Sequence, residues 1–535
     1  MAQFIKKAAS ISAITLVSRI LGMIRDAMIA FVFGAGVVSD AFFIAFRPFD
    51  LIRKMMSDGI LSISFIPVFS AYLAKDKKDQ AVSMFFSALF FISVLSVLAI
   101  AFGIYFAPAV ISILAPGYVG DSYSHTLACL LFKIMLPYSF TILLVALSMG
   151  VLNAHGNFHI PAATPILLNL SIISSAFLLY DWMSGHIAVL AIGVTFGGIV
   201  QLSLQIPFIA RLGMFDFKQF VWLHPAVVKV VVTLLPSMVG AAAFQINILV
   251  AGLTATRLLP GSVSYLNYAE RLVQFPLAMF ATSVATVLLP MLSGRAAVLN
   301  DDDCSHDIQK KRGQGKGNYI ETGTIGKSFE TGIRLVFFLI LPAMAGIMAL
   351  SEPIVSLIFG RGAFDAAAVT QTGQCLFYLA AGLWAVAGIR VFVTFYYSLS
   401  NIRLPFFAGL ISIVCNLLLS GFMAKTMGVN GLALSVSLSA MAGFVFLVCF
   451  VPNGVSLGKV FVSACRAVFI SVIMFVLVRW MWTFWASGTI MVQAIGLVVT
   501  IAAGAAIYFL GARLLSNPEM AILTKLFFKE KIDNT

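Results

Sequence analysis

The sequence predicts an all-α polytopic membrane protein of about fourteen transmembrane helices, as two six-helix lobes plus two C-terminal helices. Three observations predict it. Of the 535 residues, 61 % are hydrophobic and only 10 % charged, where soluble domains run to about 25 % charged. Apolar windows of about 20 residues, the length that crosses a bilayer, fill most of the chain. Stretches about 245 residues apart also read alike. Pro108-Ala109-Val110-Ile111-Ser112-Ile113-Leu114 resembles Pro353-Ile354-Val355-Ser356-Leu357-Ile358-Phe359, and Asn157-Phe158-His159-Ile160-Pro161 resembles Asn401-Ile402-Arg403-Leu404-Pro405. Val189-Leu190-Ala191-Ile192 and Gly431-Leu432-Ala433-Leu434 fall at a similar offset. Spans one to six and seven to twelve are therefore expected to be copies of one unit. Such repeats suit transporters that rock one half against the other around a central site.

In order, the predicted spans cover about 10–33, 39–72, 81–107, 126–152, 161–181, 187–210, 227–255, 262–292, 329–350, 367–397, 404–424, 430–452, 460–483 and 489–512. Met1 to Ser10 carries Lys6 and Lys7, and the apolar run after it is broken by Arg19, so it reads as an uncleaved first helix. Span two is long and is expected to be interrupted at Pro48 or bent there or at Gly59. Gly34-Ala35-Gly36 reads as a tight turn between the first two spans. The expected divisions are 1–225 for the N-lobe, 226–453 for the C-lobe with a cytoplasmic loop at 294–328, and 454–535 for the last two helices and the tail.

Loop cations set the orientation. With the N-terminus inside, Lys75, Lys77, Lys78, Arg211, Lys218, Arg295, Lys310, Lys311, Arg312, Lys459 and Arg513 fall inside, while outside segments hold only Arg257, Arg361, Lys425 and Arg479. Both termini are thus expected in the cytoplasm, which agrees with an even number of spans. The net charge of +13 sits in short loops and not on one soluble face, so it fits anionic membrane lipids and not nucleic acid. The six cysteines show no paired spacing and the six histidines no ligand pattern, so neither a disulfide nor a metal site is expected. Asp301, Asp302 and Asp303 read as part of a solvated loop. Gly326-Lys327-Ser328 resembles the end of a phosphate-binding loop, but Glu321 stands where that motif needs glycine. No cofactor is expected.

The stretch from Ser18 to Gly59 departs from the apolar pattern. It holds Arg19, Arg25, Asp26, Asp40, Arg47, Asp50, Arg53, Lys54 and Asp58. A charge at the bilayer centre costs about 2.5–3.5 kcal/mol on insertion scales. These charges must face one another, a water-filled cavity or a ligand. Arg19 and Asp26 share a helix face, and Arg25 points about 100° away from it. Gly22 lets a neighbour come close. Arg47, Asp50 and Lys54 form a ridge of opposite charges, with Arg53 beside it. The reading is a cavity for an anionic head group, with mutual neutralisation of the charges as the alternative. In the second copy, Glu270 and Arg271 are neighbours and are not expected to pair simply. Arg271 is expected to face the cavity and Glu270 to find a cationic partner.

The motifs resemble those of the MurJ (MviN) family of lipid II flippases, in the multidrug/oligosaccharidyl-lipid/polysaccharide exporter superfamily. They are Ser18 to Asp26, Ser39 to Phe46, Arg53-Lys54 followed by Gly59, Phe65 to Phe69, Ala115-Pro116-Gly117, Asn153 to Asn169, Tyr268 to Pro276, and Arg361-Gly362-Ala363-Phe364. The resemblance covers nearly the whole chain in order. It implies a V-shaped two-lobe bundle in the bacterial cytoplasmic membrane, with a cationic central cavity and a groove lined by the two extra helices. It implies lipid II, undecaprenyl diphosphate carrying a disaccharide-pentapeptide, as substrate. The family's key arginines fall on Arg19, Arg25, Arg53 and Arg271, and its cavity serine on Ser264. The chain departs from the family at Pro48-Phe49-Asp50, Asp58, Gln274 and Ser400-Asn401. Asp26, Asp40, Asp50, Asp58 and Glu270 are expected as supporting charges, with chloride as a possible counter-ion for an empty cavity. Arginine binds diphosphate oxygens bidentately, and no bond need break, so no catalytic group is expected. The rival readings are an exporter of another polyprenyl-linked saccharide, a cation-coupled drug exporter, and a membrane glycosyltransferase. The drug exporter predicts an acidic or aromatic cavity, and the glycosyltransferase needs acidic metal ligands at the membrane face.

Overall fold

The computed structural model describes residues 2–57, 64–216, 219–282, 284, 317–399, 401, 403–451 and 455–520. Asp58, the expected bend at Gly59 and the aspartates 301–303 lie outside the described residues. Among the described residues the secondary structure is helical throughout. Among the described residues, nine helices are long and apolar enough to cross a membrane, and ten if one bent pair counts as a single span.

The chain divides into two compact units, Met1–Ser264 with Arg361–Asp365, and Tyr265–Gly360 with Ala366–Thr535. The first unit holds α1 (Ala2–Phe33), α2 (Val37–Ser57), α3 (Ile66–Ala74), α4 (Lys78–Tyr105), the short α5 (Ala107–Leu114), α6 (Ser122–Ala154), α7 (His159–Leu178), α8 (Ala188–Arg211) and α9 (Pro225–Ala255). The division falls inside α10 (Ser262–Pro276), which runs on into a π-helical turn at Leu277–Thr282. The second unit continues with α11 (Gly317–Ala349), the short α12 (Ser351–Phe359), α13 (Ala366–Ala380), α14 (Leu383–Ser398), α15 (Arg403–Met427), α16 (Val429–Cys449), α17 (Leu457–Trp482) and α18 (Ile490–Leu514).

The repeated sequence stretches occupy matching elements. Pro108 opens α5 and Pro353 opens α12, each a short helix following a long one. Asn157 precedes α7 as Asn401 precedes α15, where the Asn401 side chain accepts from the N–H groups of Arg403 and Leu404 at 3.2 and 3.3 Å and caps the helix. Asp121 caps α6 in the same way, and its hydrogen bonds to Ser124 hold its carboxyl below the usual range.

Small residues bring the first unit's helices together. On α8, a Cβ at Gly193 would lie 2.9 Å from Ile172 Cα, and one at Gly198 would lie 2.7 Å from the Tyr138 ring. α7 and α6 therefore pack directly on its backbone. A buried core around Phe65, Phe69, Met84, Phe85 and Val151 ties α3, α4 and α6. In the second unit Phe338, Ile470, Met474 and Tyr508 form a core between α11, α17 and α18, where the Tyr508 hydroxyl donates to the Phe338 carbonyl at 2.7 Å.

Three expectations need correction. α2 runs through Pro48 without interruption. Proline removes one backbone hydrogen bond, but Phe46 and Phe49 on either side are buried, and Phe49 stacks on Phe132 of α6 at 5.4 Å. Packing holds the helix across the defect. The span expected at 367–397 is not one helix but α13 and α14, bent by 43°. A Cβ at Gly382 would lie 2.7 Å from Ser437 Cα, and Ser437 Oγ donates to the Tyr378 carbonyl at 2.7 Å, so α16 occupies the break and satisfies it. The loop expected to reach residue 328 ends earlier, because α11 begins at Gly317 and carries Gly326-Lys327-Ser328 within it. A polar extension can lengthen a helix beyond its apolar span.

Candidate functional site

The charges that stood out in the sequence gather on α1 and α2. Arg25 and Asp26 are both buried, and Asp26 Oδ1 accepts from Arg25 Nη2 at 2.6 Å and Nε at 2.9 Å. Adjacent helix positions diverge by 100°, yet the arginine stem is long enough to turn its fork back over its neighbour. Arg25 and Asp26 are therefore a pair, which the helical angle alone did not predict. The other arm of the fork, Arg25 Nη1, donates to Asn169 Oδ1 of α7 at 3.1 Å. Asn169 Nδ2 in turn donates to the Ser18 carbonyl at 3.2 Å. Asn169 thus clamps α1 at both ends of the Ser18–Arg25 stretch, while a Cβ at Gly22 would lie in ordinary contact, 3.6 Å from Asn169 Nδ2. Arg19 is exposed within the first unit.

About two turns before the end of α2, Asp50 holds two cations. Arg53 donates to Oδ1 at 2.5 Å through Nη2 and at 3.1 Å through Nε, and Lys54 Nζ lies 3.1 Å from Oδ2. All three side chains are about one-fifth exposed. Arg47, expected on the same ridge, instead reaches α9, where a Cβ at Gly252 would lie 1.4 Å from its Nη1. Only glycine at 252 leaves room for that guanidinium.

Asp40 and Ser264 come together in a way no local pattern signals. α10 starts just after Gly261, which has no side chain to cap it. The Asp40 carboxylate of α2 takes that role from 221 residues away, accepting from Gly261 N–H at 2.7 Å, Ser264 N–H at 2.8 Å and Ser264 Oγ at 2.5 Å. Both side chains are buried. Beside this cap, Ser39 Oγ donates to the Gly34 carbonyl at 2.9 Å and closes the end of α1. The Arg361–Phe364 motif docks on that same end, with Ala363 N–H donating to the Phe31 carbonyl at 2.8 Å. Gly34 and Gly362 both hold φ near +64°, and a Cβ on either would fall within 2.4 Å of a carbonyl oxygen across the contact. The Ala115-Pro116-Gly117 motif is built alike, with Gly117 N–H donating to Thr256 Oγ1 at 3.1 Å.

Glu270 and Arg271 are half-buried on the part of α10 that belongs to the second unit. Glu270 Oε1 accepts from Gln274 Nε2 at 2.5 Å, so the glutamine that departs from the family pattern holds the glutamate. Among the described residues no three His, Cys, Asp or Glu side chains gather as a metal site would need. Such a constellation of arginines held by carboxylates can present donors to a polyanion, and nothing in it resembles a nucleophile with its base.

The comparisons with known proteins bear on the whole chain. The family model of lipid II flippase MurJ matches residues 29–504. The probable lipid II flippase MurJ of Vibrio cholerae is 33 % identical over 452 residues, covering 83 % of this chain and 82 % of the relative. The lipid II flippase MurJ of Burkholderia cenocepacia is 29 % identical over 436 residues, covering 81 % and 80 %. Among solved structures, lipid II flippase MurJ in an inward closed conformation superposes with a TM-score of 0.75 at 24 % identity, over 93 % of this chain and 98 % of that one. An inward-facing multidrug transporter of the MATE family superposes with a TM-score of 0.60 at 13 % identity, covering 83 % and 97 %, which is likeness of fold alone. A match that runs from the end of α1 into α18, with relatives aligned over four-fifths of their length, places this chain in the lipid II flippase MurJ family.

Proposed function

We propose that this chain carries lipid II from the inner to the outer leaflet of the bacterial cytoplasmic membrane by alternating access. The observation that carries the reading is the family match across residues 29–504. Members of this family are transporters and not enzymes. Arg19, Arg25, Arg53 and Arg271 bind the diphosphate, which offers charged oxygens to planar guanidinium forks. Asp26 and Asn169 hold Arg25 in place, and Asp50 holds Arg53, so their forks are oriented before the substrate arrives. Desolvating the diphosphate makes unassisted crossing slow, and the arginines replace its water shell. Transporters of the same fold have been solved facing inward and facing outward, which supports alternating access. The test is rescue of bacteria depleted of their own lipid II flippase. Growth and surface-exposed lipid II should return with this chain, and wild-type protein that accumulates in the membrane without rescue would remove the reading.

The finer architecture belongs to the same proposal: fourteen spans, with N-lobe 1–225, C-lobe 226–453 and the final helices in 454–535. Among the described residues, apolarity supports up to ten spans, with the bent pair α13 and α14 taken as one. The other four are α1 and α2, which carry the charges Arg19, Arg25, Asp26, Asp40, Arg47, Asp50, Arg53 and Lys54, together with α9 and α10 with its π-helical turn. A reporter fused after Thr535 is expected to read cytoplasmic, and one in the Gly117–Ser124 loop periplasmic. Opposite results for the two ends of the chain would rule out an even number of spans.

A further inference from the structure

We propose that a cationic pocket at the foot of α3, separate from the arginines of α1 and α2, binds the phosphate head group of an anionic membrane phospholipid. The cavity has a volume of about 600 Å³ and lies within the first unit. Lys75 and Lys77 line it from the turn after α3, and Lys229 from the first turns of α9. Pro67, Val68 and Ala71 form its apolar wall, with Tyr72 beside them.

Four observations point to this ligand. The three lysines converge on one cavity, and none forms an ion pair among the described residues. Asp76 and Asp79, the carboxylates nearest in sequence, do not line the cavity. Ser64 lines the pocket at 2 % exposure, and its hydroxyl has no hydrogen-bond partner among the described residues. A buried hydroxyl without a partner is costly, and a phosphate oxygen would satisfy it. Finally, the chain leading into α9 exposes Phe220, Val221, Trp222 and Leu223 in succession, with Trp222 69 % exposed. Aromatic and apolar side chains exposed together in this way anchor a protein at the membrane interface. They set the pocket mouth at the level of lipid head groups, with an apolar wall for the start of an acyl chain. Basic pockets between helices at this level select anionic lipids.

His224, at the start of α9, adds no charge. Its ring accepts from Ala226 N–H through Nδ1 at 3.2 Å, and burial lowers its pKa below the usual histidine value. The cationic character rests on the three lysines.

Native mass spectrometry of the full chain, titrated with phosphatidylglycerol or phosphatidylcholine of equal acyl length, tests the site. Wild-type protein should retain phosphatidylglycerol in preference to phosphatidylcholine. Each lysine near the surface contributes roughly fivefold, so Lys75→Gln/Lys77→Gln/Lys229→Gln should weaken phosphatidylglycerol binding by about a hundredfold. Ser64→Ala, which removes no charge, should weaken it several-fold. Lys459→Gln/Arg513→Gln, two cations of the second unit that do not line the pocket, should leave it unchanged, and added inorganic phosphate should not displace the lipid. Equal retention of the two lipids, full retention by the triple variant, equal loss in the Lys459/Arg513 variant, or displacement by inorganic phosphate would each overturn the proposal. Because lipid retention and not lipid II transport is read, failure here leaves the transport reading standing, and failure of transport leaves this site standing.

Discussion

Arg53→Ala is expected to abolish rescue of flippase-depleted cells while the protein accumulates in the membrane at wild-type level. The local geometry makes this substitution informative. Asp50 holds both Arg53 and Lys54, so removing Arg53 leaves the carboxylate with a cation 3.1 Å away. Little stability should be lost. What disappears is a guanidinium fork, and each charge-assisted hydrogen bond lost from a substrate complex weakens it by between about tenfold and about a hundredfold. Arg25→Ala is different. Asp26 is fully buried and would lose the guanidinium paired with it, and breaking a buried pair costs about 3–5 kcal/mol. Arg25→Ala should therefore lower both accumulation and transport. Arg25→Ala/Asp26→Asn removes the buried carboxylate charge along with its guanidinium, so accumulation should recover and transport should not. Arg53→Lys and Arg25→Lys should also impair transport, since a point charge cannot bind bidentately. Normal growth with Arg53→Ala would show that the α2 cations only tie the helix together and that the head group binds elsewhere.

The arginines were legible in the sequence because a charge within an apolar window is an anomaly that demands a partner. The internal repeat was legible because Pro108 and Pro353, or Asn157 and Asn401, keep their offset. What stayed hidden follows from what periodicity measures. It gives the direction in which a side chain leaves the helix, not how far the side chain bends back, so the Arg25–Asp26 pair was missed. Asn169 lay inside a recognised motif, but a neutral amide carries no anomaly, and its role shows only once α7 lies beside α1. The bend at Gly382 depends on Ser437, and the cap on α10 depends on Asp40. Both partners are remote in sequence. Pro48 misled for the opposite reason: its local effect is real, but tertiary packing of Phe46 and Phe49 outweighs it.

Asp40→Ala should destabilise the protein by about 2–4 kcal/mol, because a helix cap and three donors lose their acceptor together. Gly261 N–H, Ser264 N–H and Ser264 Oγ all point at one carboxylate in a buried site. Asp40→Asn should fall between, since the amide keeps one acceptor oxygen but turns its NH₂ toward donors. Thermal unfolding of the purified chain in detergent gives the ranking. The same experiment decides what Ser264 does. By resemblance it is a cavity serine that meets the substrate, whereas its hydroxyl here donates to Asp40. Ser264→Ala alone should cost about 1 kcal/mol. If the hydroxyl serves only the cap, Ser264→Ala should add almost nothing to Asp40→Ala, so the coupling between the two sites should equal nearly the whole effect of the serine. Transport should then follow stability in both single variants. If Ser264→Ala instead reduces transport without lowering the unfolding temperature, and does so equally in either background, the hydroxyl acts on the substrate and the contact with Asp40 is one state of a side chain with two partners.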